Sequence, residues 1–139
     1  MARVAVVTGG TRGIGEAISI ALKDMGMEVA ATYAGNQERA KEFADRTGIK
    51  TYKFDVADHQ ACIDGIAAIE GDLGPVDVLV NNAGITRDTT MKRMDHAKWQ
   101  DVIDTNLGGC FNMAKAVFEG MQSRGYGRIV NIGDRKSVV

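Results

Sequence analysis

The sequence predicts an α/β fold in which a parallel sheet carries helices on both faces. Three observations lead there. Apolar runs of strand length alternate with longer segments of helical spacing along the chain. Glycine stands at 17 of 139 positions beside a single proline, nearly twice the usual share of about 7%, so the glycines punctuate elements and do not form linker. The first apolar run leads straight into Thr8-Gly9-Gly10-Thr11-Arg12-Gly13-Ile14-Gly15, a strand-to-helix turn of the kind that open parallel sheets place at their ligand edge.

The elements follow in order. Val4 to Val7 reads as a buried strand, and Ile14, Ala17, Ile18, Ala21, Leu22 and Met25 then recur at helical spacing up to a stop at Gly26. Val29 to Tyr33 is a second strand. A polar helix runs from about Asn36 to Arg46 and ends at Gly48, and Thr51 to Phe54 forms a third strand. Asp58 suits an N-cap. The helix it opens carries Cys62, Ile63, Ile66, Ile69 and Leu73, and Gly74-Pro75 closes it before the fourth strand, Val76 to Val80. A long helical region places Trp99, Val102, Ile103, Leu107, Phe111, Ala114, Val117, Phe118 and Met121 on one stripe, and Arg128 to Ile132 is a fifth strand. Right-handed crossovers then give the strand order 3-2-1-4-5.

Composition excludes several classes of function. With 45% hydrophobic and 25% charged residues and a net charge of -1, the chain is globular and carries no electrostatic footprint for nucleic acid or anionic lipid. Four apolar residues, Val4 to Val7, are too few for a signal-peptide core or a membrane span, so the expected location is the cytoplasm. Cys62 and Cys110 have no partner spacing for metal or redox work and read as small core residues. No metal site is expected.

The glycine turn carries the first chemistry. Glycines let backbone approach a pyrophosphate closely, and a helix N-terminus supplies unpaired N–H groups and a positive dipole end. The spacing is not the general G-x-G-x-x-G fingerprint, so an ordinary glycine-rich turn is the alternative. Further motifs lie downstream. Asp55 follows the third strand, Asn81-Asn82-Ala83-Gly84 follows the fourth, and Asn106 falls within the long helix. Thr105, Asn106, Gly108 and Gly109 together forgo roughly 2–3 kcal/mol of helix propensity relative to Ala, yet they interrupt a strong amphipathic stripe, and such a local conflict marks functional sites.

Together, Thr8-Gly9 with Gly13 and Gly15, Asp55, the Asn81 to Gly84 run and Asn106 resemble the short-chain dehydrogenase/reductase family over residues 1 to about 133. Within it, Asn81 to Asp88, Asp104 to Leu107 and Gly127 to Ile132 are most similar to the bacterial acetoacetyl-CoA reductase and 3-oxoacyl-carrier-protein reductase branch. The resemblance implies a Rossmann-like fold and an oxidoreductase acting on a small acyl thioester. It assigns Gly9, Gly13, Ile14 and Gly15 to the cofactor phosphates, Thr8 to the cofactor-binding turn with them, Asp55 and Val56 to the adenine, and Asn82, Ala83 and Gly84 to the adenosine and ribose side. It gives Asn106 a water in the proton relay, and Asp88 a place facing substrate. Other readings stand beside these: Asp55 as a helix-entry residue competing with Asp58, the two asparagines as turn formers, and Asn106 as a helix-surface residue.

Cofactor type follows from an absence. Selection of NAD uses an acid at the end of the second strand to bind the ribose 2′-OH, and no Asp or Glu occurs between Val29 and Gln37. Arg12 in the glycine turn and Arg39 in the next helix offer instead the forked, charge-assisted contacts that a 2′-phosphate takes. The expected cofactor is NADPH/NADP, with NAD the alternative and a solvated helix face the other reading of Arg39.

The family's catalytic pair is missing. Its general acid is a Tyr with a Lys four residues later, but the fourth residues after Tyr33, Tyr52 and Tyr126 are Gln37, Val56 and Val130. The family Ser is due directly after Gly133, where Asp134 stands. Residues 134–139 suit neither the family nor a buried strand, and they match a translation of sequencing-adapter DNA, GAT CGG AAG AGC GTC GTG. The expectation is therefore an incomplete NADP-binding domain over 1–133, truncated after the fifth strand, with a non-family tail at 134–139. A longer parent would carry the activity and assemble as a homo-oligomer, a tetramer, through the long helix. The chain by itself would bind dinucleotide without catalysis.

Overall fold

A computed structural model describes residues 2–84 and 91–133. Asp88 and the tail at 134–139 lie outside the described residues. The elements alternate as the sequence predicts: β1 (Val4–Val7), α1 (Gly13–Asp24), β2 (Glu28–Tyr33), α2 (Gln37–Thr47), β3 (Lys50–Lys53), α3 (His59–Leu73), β4 (Val76–Asn81), α4 (His96–Val102), a π-helical turn (Ile103–Gly108), α5 (Gly109–Arg124) and β5 (Arg128–Asn131). The five strands form one parallel sheet in the order β3-β2-β1-β4-β5, a Rossmann-like arrangement.

Alternation along the strands divides the core in two, because successive side chains point to opposite faces. Val4 and Val6 join Leu79 under α3 and α5, where Cys62, Ile66, Ile69, Met113, Val117 and Met121 are buried. Ala5 and Val7 join Val29, Ala31, Val78 and Val80 on the other face, closed by Phe43 of α2 and by Ile18 and Leu22 of α1. Caps fix where three helices begin: Asn36 accepts from the Arg39 amide at 2.9 Å, Asp58 from Ala61 at 3.0 Å and Asp95 from Lys98 at 2.8 Å. Gly48 ends α2 at φ 74°, left-handed backbone that glycine adopts without a Cβ clash. Among the described residues no helix is long and apolar enough to cross a membrane.

Three expectations need correction. The third strand is Lys50–Lys53, one residue earlier than Thr51 to Phe54. Lys50 pairs with Ala30 at the sheet edge, while Phe54 turns its ring under α3 against Gly65. On α1 the buried residues are Gly15 and Ser19, whereas Ile14 and Met25 are 66% and 71% exposed. The face has rotated because α1 descends onto the turn through its small residues, and Ser19 Oγ donates to the carbonyls of Gly10 (3.0 Å) and Gly15 (2.9 Å). The long helical stripe is likewise split. Gly109, Met113, Val117 and Met121 are buried, while Trp99, Leu107, Phe111 and Phe118 are exposed. The π-helical turn adds a residue to one helical turn and so shifts the phase of α4 against α5, and within α5 Phe111 and Phe118 lie off the i, i+4 row of buried residues.

Candidate functional site

Parallel sheets bind ligands beyond the carboxyl ends of their strands, where the strand order reverses, and here that point lies between β1 and β4. A cleft of about 800 Å³ opens there, within the range of roughly 300–1,000 Å³ typical of small-molecule sites. Its floor is the β1–α1 turn. Gly9 (φ 61°) and Gly13 (φ 56°) both adopt left-handed backbone, which a side chain rarely tolerates. A Cβ at Gly9 would lie 3.1 Å from Ala83 Cα, whereas one at Gly13 would meet open space. The turn is thus packed tightly against the β4 loop at one glycine and bare at the other.

The start of α1 differs from those of α2, α3 and α4, which a side chain caps. Arg12 occupies its N-cap with extended backbone and no side-chain cap hydrogen bond, and Gly13 and Ile14 of the first turn line the cleft, at the positive end of the helix dipole. Arg12, Gly13, Ile14, Arg39, Asp55, Val56, Asn82, Ala83 and Gly84 all line the cleft with Gly9. The sequence-predicted residues, though scattered over the first four strand ends, therefore converge.

Two of the predicted residues lie behind the wall. Thr8 is buried, and its hydroxyl accepts from the backbone amides of Asn82 (3.0 Å) and Ala83 (2.9 Å). It braces the β4 loop and does not face the opening. Gly15 sits where any side chain would collide with the Gly9 carbonyl, so it permits the helix to close on the turn. Asn106 is in the π-helical turn with its side chain beside Gly84, whose Cβ would lie 3.0 Å from Asn106 Oδ1. Neighbouring Thr105 lines the cleft.

The alternative readings of Asp55 and of the two asparagines meet local geometry, while Asn106 and Arg39 are both exposed on their helices. Asp58, not Asp55, caps α3, and Asp55 Oδ1 accepts from the Ala57 amide at 2.9 Å while lining the cleft. Among the described residues no residue other than glycine has positive φ, so Asn81 and Asn82 are not left-handed turn formers. Asn81 ends β4, donating to Asn131 Oδ1 (3.0 Å) and the Cys110 carbonyl (3.4 Å), and Asn82 Nδ2 donates to the Gly9 carbonyl at 3.2 Å. The pair ties β1, β5 and α5 around the cleft floor.

Several lining residues escaped the sequence reading: Thr11, Thr32, Ala34, Gly35, Asn36 and Phe54. Most follow the carboxyl ends of β1 and β2, so strand order combined with the ligand-edge rule was the signal that could have found them. Asn112 of α5, which donates to the Val56 carbonyl at 2.9 Å, had no such signal because the contact spans two distant elements. Arg12 and Arg39 flank the end of β2 beside Tyr33, and among the described residues neither guanidinium has an ion-pair partner.

Comparison with known proteins agrees with this geometry. The family model described as short chain dehydrogenase matches residues 3–138. The acetoacetyl-CoA reductase of Rhizobium meliloti (strain 1021) is 61% identical over 132 residues, covering 95% of this chain and 55% of that protein. The acetoacetyl-CoA reductase of Paracoccus denitrificans is also 61% identical over 132 residues, with coverage of 95% and 54%. A 3-oxoacyl-[acyl-carrier-protein] reductase of Vibrio cholerae is 41% identical over 133 residues, with coverage of 94% and 54%. The chain spans about half the length of the curated relatives it matches.

Proposed function

This chain belongs to the short chain dehydrogenase family, and from that membership we propose that it forms the cofactor cleft of an NADPH-dependent reductase of 3-oxoacyl thioesters. The reaction proposed for the parent protein, to whose cofactor domain residues 1–133 contribute, is acetoacetyl-CoA to 3-hydroxybutanoyl-CoA. One observation carries the choice of cofactor. Two arginines without ion-pair partners among the described residues, Arg12 and Arg39, flank a strand end that has no carboxylate to bind a ribose 2′-OH.

The cleft fits a dinucleotide. Open space beside Gly13, the close approach at Gly9 and the uncapped start of α1 suit a pyrophosphate, which needs backbone N–H donors and no intervening side chain. In this reading Gly9, Gly13 and Ile14 hold the phosphates, with Thr8 and Gly15 fixing the turn from behind. Asp55 and Val56 border the adenine, and Asn82, Ala83 and Gly84 the ribose side. Arg12 and Arg39 grip the 2′-phosphate by forked, charge-assisted bonds. The bound cofactor supplies a hydride equivalent for reducing the ketone. Asn106, held beside Gly84 by the π-helical turn, is positioned to orient a water that relays the proton, and Asp88 is assigned to the substrate side. The exposed Trp99, Leu107, Phe111 and Phe118 supply the surface through which the parent assembles as a tetramer.

The absence of any Tyr-x-x-x-Lys in these 139 residues favours a second reading for the chain alone: a dinucleotide-binding module without catalysis. A carrier-protein thioester is the alternative substrate for the parent. Titration with NADPH and NADH, followed by nicotinamide fluorescence, tests the cofactor assignment. NADPH is expected to bind at least tenfold more tightly, and Arg12→Met or Arg39→Met to lower only its affinity by about tenfold, the value of one charge-assisted bond. Equal affinities overturn the assignment. With acetoacetyl-CoA added, the chain alone is expected to oxidise no NADPH, whereas the parent does so.

A further inference from the structure

Arg12 and Arg39 each share a groove with an acid close by in sequence. Glu42 follows Arg39 by three residues within α2, a spacing at which helical side chains meet and opposite charges pair, and Glu16 stands in the first turn of α1, which directly follows the N-cap Arg12. All four line one polar groove at the cleft mouth together with Arg46. Without another partner, these acids would compete for the two arginines within that groove.

They are engaged elsewhere. Arg46, in the last turn of α2, donates through Nη2 to Glu16 Oε1 and through Nε to Glu42 Oε1, the latter at 2.9 Å. One guanidinium thus takes a carboxylate from α1 and another from α2, using the fork that lysine lacks. Glu38, the third acid of the groove, is adjacent to Arg39 in sequence, and adjacent helical residues do not face each other.

We infer that Arg46 is a specificity-determining residue: by holding Glu16 and Glu42, it leaves Arg12 and Arg39 free to take a phosphate monoester at the ribose 2′ position. The inference rests on the NADPH reading above and adds to it a residue that does not itself touch the ligand. Arg46 is about half exposed, and exposed ion pairs contribute little to stability. Its effect therefore falls on ligand choice. Removing Arg46 releases two carboxylates that compete with the 2′-phosphate for the same two guanidinium groups, while a ligand lacking that phosphate is indifferent to the exchange.

The test is calorimetric titration of the whole chain at low salt with adenosine 2′,5′-bisphosphate and adenosine 5′-monophosphate. The unsubstituted chain is expected to prefer the bisphosphate by at least about tenfold. Arg46→Met, which keeps the aliphatic stem, is expected to lose about tenfold on the bisphosphate, one charge-assisted bond forgone, with the monophosphate unchanged. Arg46→Met/Glu16→Gln/Glu42→Gln regains the preference because the competing charges are gone, and this triple variant decides alone should the single one not fold. An unchanged preference in folded Arg46→Met, or no preference in the triple variant, overturns the inference and leaves the NADPH reading intact. A parallel loss of both ligands in folded Arg46→Met overturns it too, reducing Arg46 to a helix clamp. No preference in the unsubstituted chain overturns the NADPH reading itself, and this inference with it.

Discussion

Thr8 shows how much a single side chain behind the cleft wall can hold. Its hydroxyl accepts two backbone amides from the β4 loop, so Thr8→Val keeps the shape and strands two donors. The expected cost is about 2 kcal/mol, the low end for two donors at ~1–3 kcal/mol each because both bonds are only part-buried, read as a lower urea midpoint. The sequence motif placed Thr8 at the cofactor, and in space it lies one layer below. Motif spacing records which residues act together, not which of them face the ligand. Cys62 was legible as core and is fully buried. Burial pushes its thiol up to about 11, with Asp58 and Asp55 adding to the rise. Burial and the hydrogen bond to Asp72 also hold the Tyr52 phenol above its usual range. Both groups keep protons in the folded chain that the unfolded chain has released. The stability Cys62 confers by staying neutral is thus complete below the ordinary thiol value of 9.0 and is lost as pH rises towards about 11. Urea midpoints at pH 8 and pH 10.5, values chosen to be about a unit or more from either side of that ordinary thiol pKa, should fall less steeply for Cys62→Ala than for the unsubstituted chain.

At the scale of elements, the boundaries were legible because caps and stops are local chemistry: Asn36, Asp58 and Gly48 each act at the position their residue type predicts. Which face a helix buries was less legible, because small residues outbid large ones. Glycines carry no apolar weight in a periodicity, yet Gly15 and Gly109 decide where α1 and α5 come closest to their neighbours. The two glycines that follow Leu107 make the point testable. Gly108 has ordinary helical backbone (φ -62°, ψ -39°), and the nearest atom to an added Cβ is the Ile103 carbonyl oxygen at 3.8 Å. Gly108→Ala is therefore expected to stabilise by about 0.5–1 kcal/mol, the helix-propensity gain. At Gly109 an added Cβ would lie 2.7 Å from Val56 Cγ2, so Gly109→Ala should destabilise by about 1–3 kcal/mol as an overpacked contact and disturb Val56 at the cleft. Thermal unfolding of the two variants should move in opposite directions. Poor helix propensity around Asn106 marked a local conflict in the stripe, and the π-helical turn over Ile103–Gly108 falls at that place. Its consequence for the phase of α5 was not legible, because it depends on how many residues the turn gains.

Over the whole molecule, the alternation of elements and the glycine turn were enough to fix sheet order and the place of the cleft, since crossover handedness and the ligand-edge rule leave few alternatives. What no periodicity could convey is which apolar surface stays uncovered. Leu107, Phe111 and Phe118 of the long helical region are each more than half exposed, and Ile129 and Val130 of β5 are exposed on an edge strand. Apolar patches and open edges of this kind drive association, so sedimentation should show the chain heavier than a monomer at micromolar concentration. Phe111→Glu/Phe118→Glu should shift it back towards monomer. The central claim is that the cleft at the carboxyl ends of β1, β2 and β4 takes an NADP-type dinucleotide. Amide chemical-shift mapping of the chain titrated with NADP tests it most directly. The account predicts shifts concentrated at Gly9, Gly13, Ile14, Arg39, Val56 and Ala83, at lower concentrations of NADP than of NAD. An unperturbed cleft, or shifts confined to the exposed face of α5, would contradict it.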